Sequence, residues 1–216
     1  MKVKISVPSS LKEIKLSQYQ KFIKTTKDSE DIDLINRQLV GIFCDIPNDV
    51  VGRMSKIKFN QIVNILTETL KQKPDLVTTF RLNGIKYGFI PNLEKITVDE
   101  QADLETFLED TKNFNKAMAV LYRPITHEHK GKYNIEEYDG KGQSLDVSLD
   151  VVHGATAFFL NLLKDLLNCT QNFIQKEVVK NHKLRKSLAE NGVGIKSIMD
   201  LQKATYLNLT RLENLN

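Results

Sequence analysis

Few residues in this chain have the type and spacing for chemistry. His127-Glu128-His129 sets two imidazoles two residues apart around a carboxylate, as the start of a zinc-ligand set would. Zinc needs three or four ligands on a rigid frame. The other histidines, His153 and His182, are distant in sequence and fall in helical patterns, so a solvated hairpin is the better reading. Cys44 and Cys169 are far apart in apolar surroundings, which excludes a disulfide scaffold and a cysteine zinc site and suits a reducing compartment. Gly140-Lys141-Gly142 and Gly192-Val193-Gly194 lack the phosphate-loop spacing and a preceding strand. The acid pairs Glu109-Asp110 and Glu136-Glu137 read as surface charge rather than a general acid and base. The expectation is no catalytic residue, no metal and no cofactor.

Two other constellations suit binding. Lys180, Lys183, Arg185 and Lys186 form a basic cluster around His182. Positive charge alone can contact phosphates, but the stacking aromatics of a single-strand binder are missing, so nucleic acid is the disfavoured partner. Beyond the diglycine break, Ile195, Ile198, Met199, Tyr206, Leu209 and Leu212 recur at helical spacing. That stripe either folds back on the body or enters a partner's groove. These ten residues are the candidate partner-binding set.

The elements that must position them follow from periodicity. Lys2 to Val7 alternates apolar and polar and stops at Pro8, as a short strand would. A first helix capped by Ser9 or Ser10 carries Leu11, Ile14, Tyr19, Phe22 and Ile23, with a break near Leu16-Ser17. Thr25 to Asp33 reads as loop. Further helical patterns cover Ile35 to Phe43, Phe59 to Leu70 and roughly 100–120, with Pro47 and Pro74 as stops.

The sharpest local signal is Thr78 to Ile90, two alternating runs joined by Asn83-Gly84, which tolerate the positive φ of a type I′ turn. The register sets Leu82 opposite Ile85 and Phe80 opposite Tyr87. Arg81 and Lys86 then share the other face, which must be wet or partnered. A lone hairpin is marginal, and the N-terminal strand is the expected third member. Tyr122 to Thr126 and Tyr133 to Glu137 flank a second, longer hairpin around residues 127–131. A long helix starts near Val147, with its apolar stripe dense to Ile174.

The 216 residues, 41% hydrophobic and 27% charged, suit a soluble globular chain able to bury its own core. No apolar run approaches a membrane span, and the N-terminus does not read as a signal peptide. The net charge of +4 is unevenly placed: residues 169–216 hold eight basic and four acidic residues, leaving 23 of each sign elsewhere. Glu94 to Asp110 holds seven acids against one lysine. Such asymmetry suits complementary surfaces, for partners or like subunits. The expected fold is α+β and mostly helical, with a small antiparallel sheet (N-terminal strand plus Asn-Gly hairpin), a long C-terminal helix and a helical tail. The expected division is an α+β body over 1–175 and a basic helical tail over 176–216.

Several segments together resemble a known family. They are Gln72 to Leu76, Phe80 to Leu93, Lys116 to Ile125, Tyr133 to Tyr138, Leu149 to Val151, Gly154-Ala155 and Phe158-Phe159. They resemble proteins from the virion-morphogenesis modules of large tailed bacteriophages, often labelled tail assembly chaperone or structural protein. The resemblance covers about residues 1–170, and the region around Asp99 to Asp110 departs from a more aromatic family pattern. It implies a non-enzymatic assembly factor working in the host cytoplasm on a helical client such as the tape-measure protein. The alternative is a virion component (a connector, ring, baseplate or packaged protein) held by helix-mediated contacts between neighbouring subunits.

Overall fold

The computed structural model describes residues 5–141, 143–159 and 161–162. The chain divides into two units, Met1–Gly154 and Ala155–Asn216. The expected boundary at 175, and the whole tail over 176–216, lie outside the described residues.

In the first unit, Ser10 accepts a hydrogen bond from the Lys12 N–H and caps a 3₁₀ turn, Leu11–Glu13. The chain then breaks at Ile14-Lys15, slightly earlier than the sequence suggested. Helix α1 (Leu16–Thr26) follows, with the Lys15 N–H donating to Gln18 Oε1 at 3.0 Å. Helix α2 (Ile32–Phe43) starts three residues before the predicted position because the Asp31 carboxylate accepts from the Asp33 and Leu34 N–H groups. The short α3 (Asn48–Gly52) follows Pro47, and α4 is Lys56–Leu70. Helix α1 packs on α2, and α2 on α4. Leu16, Val40, Phe43 and Leu66 are buried among them.

The Asn-Gly hairpin forms as predicted. Strands β1 (Thr79–Leu82) and β2 (Ile85–Phe89) pair with Phe80 opposite Tyr87, Arg81 opposite Lys86 and Leu82 opposite Ile85. Asn83 and Gly84 take φ of 51° and 83°. The third strand is a correction. It is β3 (Tyr122–His129), which runs antiparallel to β2, and β4 (Lys132–Ile135) completes the order β1-β2-β3-β4. The N-terminal run is not a strand over its described residues, Ile5 to Ser9. The second hairpin is tighter than expected. His127 to His129 belong to β3, and the turn is only Lys130-Gly131, with φ of 48° and 77°.

The predicted helix over 100–120 is two. Helix α5 (Val98–Leu108) opens with a capping box, in which Thr97 and Glu100 accept each other's backbone N–H. Asp110 then accepts from Lys112 N, forming a 3₁₀ turn at Thr111–Asn113 before α6 (Phe114–Leu121). Residues 149–159 and 161–162 are helical, starting two residues after Val147. Leu16 N–H donates to Val147 O at 2.8 Å and Leu149 N–H to Ile14 O at 2.9 Å, so Lys15 and Ser148 pair as an isolated bridge. The observed class is α+β and mostly helical.

Candidate functional site

The most organised polar cluster lies where α5 meets the start of β3. Helical spacing puts Glu100, Asp103 and Leu104 on one side of α5. Arg123 reaches Glu100 Oε1 at 2.7 Å, with their side chains only 12% and 4% exposed. The Tyr138 hydroxyl donates to Asp103, and the Arg123 guanidinium lies 6.0 Å from the Tyr138 ring centre. Glu100 therefore serves two roles, closing the capping box with one oxygen and binding the guanidinium with the other.

Beside this lock a pocket is lined by Tyr87, Lys116, Arg123, Glu136, Glu137 and Tyr138 among others, with about 50 Å³ of water-sized space. Tyr122 also lines it. The Tyr122 hydroxyl and Arg123 Nε are buried with no hydrogen-bond partner among the described residues. That volume suits a few water molecules.

Burial favours the neutral form of several titratable groups, at this cluster and elsewhere in the fold. Burial raises the Tyr122 hydroxyl, with smaller contributions from Tyr133 and Asp150. Tyr138 is raised by burial and then by its hydrogen bond to Asp103. Burial lowers His153, against a smaller opposing effect from Asp150, and keeps the imidazole neutral edge-on to Tyr19, itself pushed up to about 12. The buried Cys44 thiol is pushed up to about 11, well above the range of a reactive cysteine.

The structure places the residues singled out in the sequence as follows. His127 and His129 are exposed on β3, and Glu128 bonds Lys86 Nζ at 2.6 Å. The wet face of the first hairpin is thus partnered by the neighbouring strand. No group of three or more metal-binding side chains occurs among the described residues. Glu136 and Glu137 are exposed at the pocket, and Glu109 and Asp110 are exposed at the end of α5. Lys180, Lys183, Arg185, Lys186, Ile195, Ile198, Met199, Tyr206, Leu209 and Leu212 all lie outside the described residues, as do Cys169 and His182. The Arg123–Glu100 lock was not anticipated. Thr97-x-x-Glu100 before an apolar run is a capping-box signature that marks one half of it.

A second kind of surface lies on the helices. Ile57 is 74% exposed, Ile65 44% and Val98 83%, and Ile32 and Leu34 at the start of α2 are also exposed. Among the described residues no helix is long and apolar enough to cross a membrane. No family model, curated protein or solved structure matches the chain.

Proposed function

We propose that this protein is a non-enzymatic bacteriophage assembly factor, similar to a tail assembly chaperone, that binds a helical client protein. The observation that carries the reading is the set of large aliphatic side chains left in solvent on α2, α4 and α5. Single exposed aliphatics are common, but Ile57 and Ile65 recur on one side of α4, as binding surfaces do. The resemblance to phage morphogenesis proteins supplies the setting, the host cytoplasm during assembly. The client is a long helical protein whose apolar stripe would aggregate if left uncovered. The apolar residues from Ile195 to Leu212 and the basic residues Lys180 to Lys186 are assigned to its capture.

The test is co-expression with a coiled-coil tail protein of the tape-measure kind, reading the client's soluble fraction. Solubility should rise with the full chain and fall back when residues 192–216 are deleted. An unchanged soluble fraction would overturn the chaperone reading, and full rescue by the truncated chain would overturn the assignment of the site. The exposed basic start of α4 (Lys56, Lys58) and the exposed acidic end of α5 (Glu105, Glu109) favour a second reading, a structural virion component. Mass spectrometry of purified particles separates the two, because a structural part persists at fixed copy number and a chaperone is absent.

A further inference from the structure

Every helix carries a positive pole at its N-terminus and a negative pole at its C-terminus, and side-chain charge normally opposes both. At their N-terminal poles α2, α3 and α5 follow this rule, opening on Asp33, Asp49, and Asp99 with Glu100, whereas α1, α4 and α6 open on no acid. Helix α4 breaks it. Its first turn has no acid, Ser55 makes no side-chain cap bond, and Lys56 and Lys58 add positive charge to the positive pole. Arg53 lies just before it, only loosely paired with Asp49 at 3.7 Å. Helix α5 breaks the rule at the other end. Its last turn has no base, as in α2, α3, α4 and α6, and Glu105 and Glu109 add further negative charge to the negative pole.

Both helices turn these charges, together with apolar groups, toward solvent. On α4 the exposed line is Ile57, Gln61, Ile65 and Glu68. On α5 the inner side is held by Glu100 and Asp103, and the exposed line is Val98, Ala102, Glu105 and Glu109. Since both lines are exposed in the single chain, they do not meet within it.

We propose that α4 of one copy packs antiparallel against α5 of a second copy. With a rise of about 1.5 Å per residue, Ile65 to Lys58 and Val98 to Glu105 each span about 10 Å. Setting Ile65 against Val98 brings Lys58 level with Glu105 and sets the basic N-terminal end of α4 level with Glu109. The unopposed poles then face each other, positive to negative. The two faces differ, so the contact is head-to-tail and builds a closed ring or an open row, unless it repeats reciprocally in a dimer. The inference rests on the reading that this protein works by binding macromolecules, and it names a second copy as one partner.

Sedimentation of the full chain across concentration tests it. Wild type should associate, less so at high salt. K56E/K58E and E105K/E109K should each weaken association by about tenfold or more. An equimolar mixture of the two variants should regain it, because each restores the complement the other lacks. Ile65→Lys should weaken association without a matching rescue. All these positions are exposed, and K56E/K58E removes an unfavourable charge from a helix pole, so its melting temperature should hold or rise. A wild type that stays monomeric at millimolar concentration, association insensitive to these reversals, or a mixture that does not recover would each overturn the contact. Client solubilisation by K56E/K58E is read in parallel. If it persists while self-association is lost, the two readings separate; if client rescue fails with wild type while association behaves as stated, only the chaperone reading falls.

Discussion

The two ends of β3 are built on opposite principles. At its start, Tyr122 is fully buried and Arg123 is clamped by Glu100. At its end, His127 to His129 stand in solvent, tied to the sheet by the Lys86–Glu128 pair. Both ends use an ion pair, yet the pairs differ in kind. A buried charge that loses its partner cannot be rescued by water, whereas an exposed one is resolvated at once. Burial thus decides which charge pair the fold depends on.

The largest expected effect comes from breaking the buried end. Arg123→Met leaves the Glu100 carboxylate dehydrated and should lower unfolding free energy by about 3–5 kcal/mol, read as a shift in denaturant midpoint. Adding Glu100→Gln, which keeps an acceptor for the Thr97 N–H, should cost less than the sum of the single changes. Strict additivity would mean the two side chains do not act as a unit.

The middle of the sheet should respond less. A Cβ at Gly88 would lie 2.5 Å from the Tyr133 ring and 3.0 Å from Ile125 Cγ1. The Tyr133 ring cannot swing away freely, because its hydroxyl donates to Phe89 O at 2.9 Å and also reaches Thr78 O. Gly88→Ala should therefore cost about 1–3 kcal/mol by overpacking, and Tyr133→Ala should relieve part of the clash. Equal losses in both tyrosine backgrounds would place the strain elsewhere.

The smallest effect belongs to the exposed end. The Lys86 and Glu128 side chains are 31% and 44% exposed, so Glu128→Ala should change stability by less than about 1 kcal/mol, and by less still in high salt. A loss as large as that of Arg123→Met would erase the contrast between the two ends.

Legibility in the sequence divides in the same way. The first hairpin and its full register could be read because Asn83-Gly84 fixes the turn and alternation fixes the faces. The third strand could not. The N-terminal alternation made a plausible partner, while β3 carries Pro124 and a polar end that disguise it. Apolar residues recur at helical spacing on both sides of the polar run Glu109 to Asn113, so that run reads as the wet face of one helix and hides the cap at Asp110 that splits α5 from α6. The lock joining Arg123 to Glu100 links residues from separate elements, and no local periodicity pairs them. The candidate binding residues of the tail lie outside the described structure.

The bridge between Lys15 and Ser148 has a consequence for synthesis. Ser17 also donates backbone and hydroxyl hydrogen bonds to Asp146. The start of the first helix thus gains these hydrogen bonds only when residues 146–149 have left the ribosome. At roughly 5–20 residues per second, that is a wait of roughly 6 to 26 seconds for the nascent N-terminal segment. Such sequence-distant closure slows folding, and a stalled chain ending before residue 146 would lack the hydrogen bonds that hold the Leu16 and Ser17 end of the helix.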